Sequence, residues 1–300
     1  MRSAAVCVLH GGVPVPPWLV ALSHHMKVYV CLNDADSFHY HRPANCPQIV
    51  YYANKTQCGF AENVNRMLIY AFSDGFDMAL VLNFDLQLDI NSLLKLAEFT
   101  SRAKPVCAAV LSDEGGMPTF SSGTYPTPLR EFIRTAGLFE SAHGRTLRRH
   151  LLRRLSPEWR KRNTLEKIAS RQLAPTQYVP WTAICVTSFA WALVGPLDER
   201  FDLYAEDVDW GMRCAQAGIP VWLVNVGVVR HLERATRSSL TDALYEASHI
   251  KLHRKYHRMQ CLLAQQIGLE VRRWLSYFLP IRPIEATVMR RSLNGGYFAK

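Results

Sequence analysis

The sequence has no Cys-x-x-Cys pair. Its eight cysteines, at positions 7, 31, 46, 58, 107, 185, 214 and 261, are scattered along the chain, which argues against a zinc knuckle or a disulfide framework. Several lie in apolar runs, where buried free thiols are common. No secretory signal opens the sequence, so the expectation is a reducing, cytoplasmic location. A long charge-free run is also missing: the longest is YVPWTAICVTSFAWALVGP (178–196). It holds Pro180, three hydroxyl residues and two tryptophans, and reads as a strand followed by a buried helix rather than a membrane span. No internal repeat is visible. With 49% hydrophobic and 20% charged residues, the composition is not that of a disordered chain.

Acidic residues are in short supply. There are 25 Asp and Glu against 35 Lys and Arg, giving a formal charge of +10. A basic surface suits nucleic acid, an anionic membrane face or a phosphorylated ligand, and composition alone does not choose among them. No nucleic-acid reader motif accompanies the charge, and no nucleic-acid partner is expected.

What is present is an alternation. AAVCVLHGG, MKVYVCLNDAD, QIVYYANK, DMALVLNFD and PVCAAVL read as strands. Between them, Phe60, Val64, Met67, Leu68 and Ala71 fall on one helical face, and INSLLKLAEFTSR reads as a helix capped by Asp89 or Asn91. Unbroken apolar strands alternating with helices predict a largely parallel sheet covered on both faces. Such sheets bind ligands beyond the carboxyl ends of their strands. The polar strand ends at Asn33–Asp36, Asn54 and Asn83–Asp85 are therefore the first candidates.

Residues 128–175 interrupt the pattern with a basic, helix-compatible insertion. After residue 178 the alternation resumes through LDERFDLYAEDVDWGMRCAQAG, a helix that should start at its acidic cluster and stop at Gly218. IPVWLVN and GVVRH read as strands. DALYEASHIKLHRKYHRMQCLLAQQIGLEVRRWLSYFL is helical and basic with an apolar stripe, broken by Pro280 and Pro283. The expected organisation is a catalytic domain over residues 1–240, carrying the insertion, and a helical extension over 241–300.

Three features carry chemistry. LVLNFD delivers Asp85 at the end of a buried strand, VVRH delivers His231 at the end of another, and YAEDVDW crowds Glu206, Asp207 and Asp209 into four positions. A carboxylate and an imidazole on neighbouring strand ends suit one divalent ion with positions left for phosphate oxygens. A separate carboxylate could take a proton from a hydroxyl. The plainer alternatives are a structural histidine and a first turn whose acids offset the helix dipole, with Asp209 and Arg213 paired at i,i+4.

These pieces in this order resemble the inverting nucleotide-sugar glycosyltransferases of family 2, in the branch holding rhamnosyl- and galactofuranosyltransferases. NKTQCGFAENVNR, LVLNFD, LDERFDLYAEDVDWGMRCAQAG and VVRH match that branch's motifs, over about residues 4–110 and 178–260. NKTQCGF carries two residues more than the motif between Asn54 and Gly59, and the two-aspartate metal motif is reduced to Asn83-Phe84-Asp85.

The resemblance implies a GT-A fold: a Rossmann-like, mostly parallel α/β sheet flanked by helices. It implies a nucleotide-diphospho-sugar donor, Mn²⁺ or Mg²⁺ held by Asp85 and His231, and Asp207 as catalytic base. Asp34 or Asp36 would contact the nucleobase, with Asn54, Gly59, Asn65 and Asn83 on the donor side. Glu206, Asp209, Trp210 and Trp181 would line the acceptor side, although packing is the first reading of Trp210. The acceptor would be a hydroxyl of a glycan or a lipid-linked glycan, with peripheral contact to the inner face of a membrane. The competing reading is a catalytically silent relative that binds sugar nucleotides or scaffolds an assembly.

Overall fold

The computed structural model describes residues 1–10, 13–33, 46, 48–113, 116, 119, 121–137, 173–232, 239–278, 281 and 284–295. Asp34 and Asp36, most of the basic insertion, and Pro280 and Pro283 lie outside them. The chain divides into two compact units. Residues 1–124, 170–200 and 206–235 form an α/β unit, and residues 125–169, 201–205 and 236–300 form the second.

The α/β unit is built on a mixed, mostly parallel sheet of eight strands in the order β3-β2-β1-β4-β8-β6-β9-β7. β1 (Ser3–His10), β2 (Lys27–Asn33), β3 (Ile49–Ala53) and β4 (Met78–Asn83) run parallel. β8 (Ala183–Thr187) is antiparallel to both its neighbours, β4 and β6 (Val106–Ala109). β6 is parallel to β9 (Val221–Val224), and β7 (Leu173–Thr176) closes the edge antiparallel to β9. The edge position suits Pro175, which cannot donate to a ladder. A separate antiparallel pair joins β5 (Leu86–Leu88) to β10 (Val229–His231).

The strands are apolar on both sides because both sides are covered. Ala5, Cys7 and Leu9 of β1 pack with Leu19 and Leu22 of α1 (Pro17–Leu22) and Leu93 and Leu96 of α3 (Ile90–Phe99). Alternate residues point the other way. On that side Cys31 of β2 meets Asn63 of α2 (Phe60–Ser73), whose buried face includes Val64, Met67, Leu68 and Ala71. Fully burying each of Val64, Met67 and Leu68 contributes about 1.5–3 kcal/mol. The Asp89 carboxylate caps α3 by accepting from the Asn91 N–H at 3.2 Å. α5 (Ser188–Val194) follows β8 directly, and α6 (Glu206–Gln216) is followed by Gly218 at φ +68°, a left-handed position that glycine occupies at little steric cost.

The second unit is helical among its described residues: α4 (Pro128–Thr135), α7 (Ser239–Lys255), α8 (Met259–Leu275) and α9 (Ala286–Gly295). The stretch read as one helical run from residue 242 divides in two. His257 adopts φ +51° between α7 and α8, a left-handed conformation incompatible with a continuous right-handed helix. α8 lies against α4 closely: a Cβ on Gly268 would stand 1.9 Å from Thr135 Oγ1. Among the described residues no helix is long and apolar enough to cross a membrane.

Candidate active site

β1, β2 and β4 end side by side, and their last residues are polar. Asn33, at the end of β2, is buried. Its Nδ2 lies 3.0 Å from His10 Nδ1 and donates to the Cys58 carbonyl at 2.9 Å, while its Oδ1 accepts from Asn54 Nδ2 at 3.0 Å and from the Cys58 N–H at 2.8 Å. Burial lowers the pKa of His10, which favours the neutral ring. Its ring tilts against Phe84 at 6.3 Å. His10 was not singled out from sequence; its place as the last residue of the first strand, beside that of Asn83, was the available signal.

The structure gives the residues expected on the donor side internal partners. Asn54 donates to Asn63 Oδ1 at 2.6 Å as well as to Asn33, and accepts from Arg66, which pairs with Glu62 at 2.8 Å. Gly59 is the N-cap of α2. Asn65 is buried and faces the loop after α5: it donates to the Leu197 carbonyl and to Glu199, and accepts from the Leu197 N–H at 2.9 Å. Asn83 ends β4, its N–H bonded to the Thr182 carbonyl at 2.8 Å.

Asp85 and His231 are brought together. β10 pairs with β5 in a register that sets His231 opposite Leu86, and the Leu232 N–H donates to the Asp85 carbonyl at 3.0 Å. The His231 N–H is held by the Ser112 carbonyl at 2.9 Å. The consequence is an Asp85 Oδ1 to His231 Nε2 separation of 3.3 Å, with the Asp85 side chain 7% exposed and that of His231 20%. Two ligands about 2.1 Å from one octahedral ion lie roughly 3 Å apart, so this pair fits a single divalent cation.

The acidic cluster opens α6, and its members have different surroundings. Asp209 is fully buried and accepts from Arg213 Nε at 2.9 Å. Arg213 also donates to the carbonyls of Val194 at 2.7 Å and Pro196 at 2.8 Å. Trp210 is buried, donates to the Gly195 carbonyl at 2.9 Å and meets Trp181 edge to face at 5.0 Å. Gly211 lets the helix approach the chain behind it, since a Cβ there would stand 2.5 Å from Tyr178 Cβ and 2.9 Å from the Gln177 carbonyl. Asp209, Trp210 and Trp181 thus anchor the helix within the fold.

Glu206 and Asp207 remain on the helix's first turn. Asp207 is half-buried and accepts from the Val208 N–H at 2.8 Å. Burial raises its pKa to about 6, against the opposing pull of the backbone N–H groups. Glu206 is buried and its Oε2 has no hydrogen-bond partner among the described residues. Burial, then the neighbouring Asp207 charge, raises its pKa well above the usual carboxylate range. Two adjacent carboxyls with pKa values pushed up in this way are suited to proton exchange near neutral pH.

The fold is of the GT-A type, and known structures share it. GalNAc-T7, solved with UDP, GalNAc and Mn²⁺, superposes with a TM-score of 0.53 at 11% identity, covering 84% of this chain. The mannosyltransferase PcManGT of Pyrobaculum calidifontis, solved with GDP-Man and Mn²⁺, superposes with a TM-score of 0.51 at 10% identity, covering 93% of this chain. The chain spans 47% of the length of the first and 77% of the second. The sequence itself matches no protein-family model and no curated protein.

Proposed function

We propose that the protein is a metal-dependent, inverting glycosyltransferase that moves a sugar from a nucleotide-diphospho-sugar to a hydroxyl of a glycan or glycolipid. The observation that carries this reading is the Asp85–His231 pair at 3.3 Å, where Asp85 follows the end of β4 in a GT-A-type sheet and the β5–β10 pair brings His231 to it. The fold shared with two transferases solved with nucleotides or nucleotide sugars and Mn²⁺ supports it.

Asp85 and His231 would hold Mn²⁺ or Mg²⁺. When bound, the ion offsets the negative charge that develops on the departing diphosphate. Asp207, with its pKa near 6, is deprotonated at neutral pH and accepts the proton of the acceptor hydroxyl. The hydroxyl oxygen forms its bond to the anomeric carbon as the bond to the diphosphate oxygen breaks on the opposite face, which inverts the centre. A diphosphate leaves as an anion and needs no proton, so one base suffices; a glycosidase would need a second carboxyl as acid. Glu206, biased toward its neutral form, offers a hydrogen bond to the acceptor or the transferred sugar.

The acceptor reading includes a membrane surface. α8 and the turn after it expose Met259, Leu263, Ile267, Trp274, Tyr277 and Phe278, each between 49% and 74% accessible. The first four share one helical face by spacing. Arg273 on the same helix and Arg254 on α7 are also exposed. Aromatic and aliphatic side chains flanked by arginine suit the headgroup region of an anionic bilayer. The deciding experiment for the activity is a screen of UDP-, GDP- and dTDP-sugars with Mn²⁺, reading both donor hydrolysis and transfer. Turnover of a donor that stops on chelation is expected; no turnover of any donor, with binding retained, favours a silent sugar-nucleotide-binding protein.

A further inference from the structure

The helical unit contains a second convergence of metal-ligating groups, which shares no residue with the Asp85–His231 pair. His249 and His253 lie one turn apart on α7, so their rings project from one face. Glu131 reaches them from α4, more than a hundred residues earlier. Its Oε2 lies 3.3 Å from His249 Nδ1 and 3.1 Å from His253 Nε2. All three ligand atoms fall within 4.8 Å of one another, and all three residues are buried, with His253 fully inaccessible.

One observation distinguishes this cluster from an ordinary buried hydrogen-bonded network. His249 Nδ1, the ring atom turned toward Glu131, is buried with no hydrogen-bond partner among the described residues, although it faces the carboxylate oxygen at 3.3 Å. A buried imidazole nitrogen left in that state is costly unless something else takes its lone pair. The same Glu131 oxygen accepts from Arg134 at 2.7 Å.

We infer that Glu131, His249 and His253 form a structural site for a tetrahedral first-row divalent ion, Zn²⁺ by ligand type, that pins α4 to α7. Two imidazoles and a carboxylate are ligands that zinc accepts and that Mg²⁺ and Ca²⁺ do not favour. Ligand atoms about 2.0–2.2 Å from a tetrahedral ion lie roughly 3.4 Å apart, close to the 3.1 and 3.3 Å observed. Tyr245, one turn before His249, stacks on its ring at 4.5 Å and fixes the ring plane, as outer-shell partners of metal-bound histidines do. No further His, Cys, Asp or Glu joins the group among the described residues, and water would complete the tetrahedron.

The test uses the full chain carrying Asp85→Ala and His231→Ala, so that the proposed catalytic ion cannot be counted. Protein stripped with a chelator is titrated with Co²⁺ and then Zn²⁺. About one Co²⁺ per chain is expected, with the intense visible absorption of a tetrahedral site, displaced by Zn²⁺. Adding Zn²⁺ should raise the melting temperature by several degrees, since an ion held only by the folded state stabilises it. His253→Gln and Glu131→Gln should each abolish the absorption and the thermal response. If either variant fails to fold, the ion content and chelator response of the parent decide alone. A parent that binds no Co²⁺ and melts at the same temperature with Zn²⁺ or chelator overturns the inference. So does a folded His253→Gln variant that keeps the cobalt spectrum.

Discussion

Asp209, with no accessible surface, is locked to Arg213 at 2.9 Å, whereas Asp207, two residues earlier, has no such ion pair among the described residues. The first acid holds the helix in place and the second is available for chemistry. Removing Arg213 should therefore damage the fold: Arg213→Met leaves Asp209 buried without its cation and strips the Val194 and Pro196 carbonyls of their donor. A loss of about 3–5 kcal/mol is expected, read as a lower melting temperature and urea midpoint. The double variant Asp209→Leu/Arg213→Met should recover much of that loss. A single variant as stable as the parent would show that the pair does not hold α6.

Asp207→Asn should lower sugar transfer by roughly 10²–10⁴-fold, the usual contribution of a general base, with donor binding nearly unchanged. The parent's rate should rise with pH through about 6 and then level, because burial raises this carboxyl's pKa to that value. Wild-type transfer by Asp207→Asn, or a rate flat from pH 5 to 7, would remove Asp207 from the mechanism.

The same raised pKa has a stability signature. The folded state binds the Asp207 proton more tightly than an unfolded chain, whose aspartates titrate near about 3.9. Stability from the bound proton is present below that value and is lost as pH rises through about 6. Asparagine cannot ionise, so Asp207→Asn should gain stability relative to the parent between pH 4 and 7.5, on the order of 2–3 kcal/mol. Thermal melts of both proteins across that range are the measurement, and parallel curves would contradict it.

Asp85→Ala and His231→Ala should each erase the Mn²⁺ dependence of nucleotide binding. Calorimetric titration of UDP and GDP, with and without Mn²⁺, reads this directly. Equal metal dependence in the parent and both variants would exclude the 3.3 Å pair as the ion's seat.

For the exposed row on α8, co-sedimentation with phosphatidylserine-containing and neutral vesicles is decisive. Binding to the anionic vesicles should weaken with salt, each basic residue near the surface adding about 1 kcal/mol. Trp274→Ser/Tyr277→Ser/Phe278→Ser should release the protein without lowering its melting temperature, since these side chains are solvated. If the melting temperature falls instead, another part of the chain covers the row.

Much of the sheet was readable in sequence because its signals are local. Ala4–Leu9 is an uninterrupted apolar run, and Val64, Met67, Leu68 and Ala71 keep helical spacing and are buried together on α2. Strand direction is not local: β8 looks like any other buried strand, yet runs against both neighbours. Asp85 and His231 were marked by their places at strand ends and by the family resemblance, but the β5–β10 ladder that sets them face to face joins segments far apart in the chain. Asn54 and Asn65 were marked by type and motif position alone; the neighbours that their amides bond, Asn33, Asn63 and Leu197, come from other elements of the fold or from tertiary packing and were not legible. Glu131 was invisible as a partner of His249 and His253, because only tertiary packing joins α4 to α7.

Tyr204 and Ala205, immediately before α6, adopt φ values of +68° and +65°. Glycine would enter that left-handed region at little cost, yet both positions carry side chains. Tyr204 sets its ring 5.1 Å from that of Tyr245, and Ala205 is buried. Those contacts hold the backbone in a shape it would not otherwise choose. Glycine at both positions would enter that shape easily but lose the contacts that keep it, so the turn would exchange among several conformations where it now holds one.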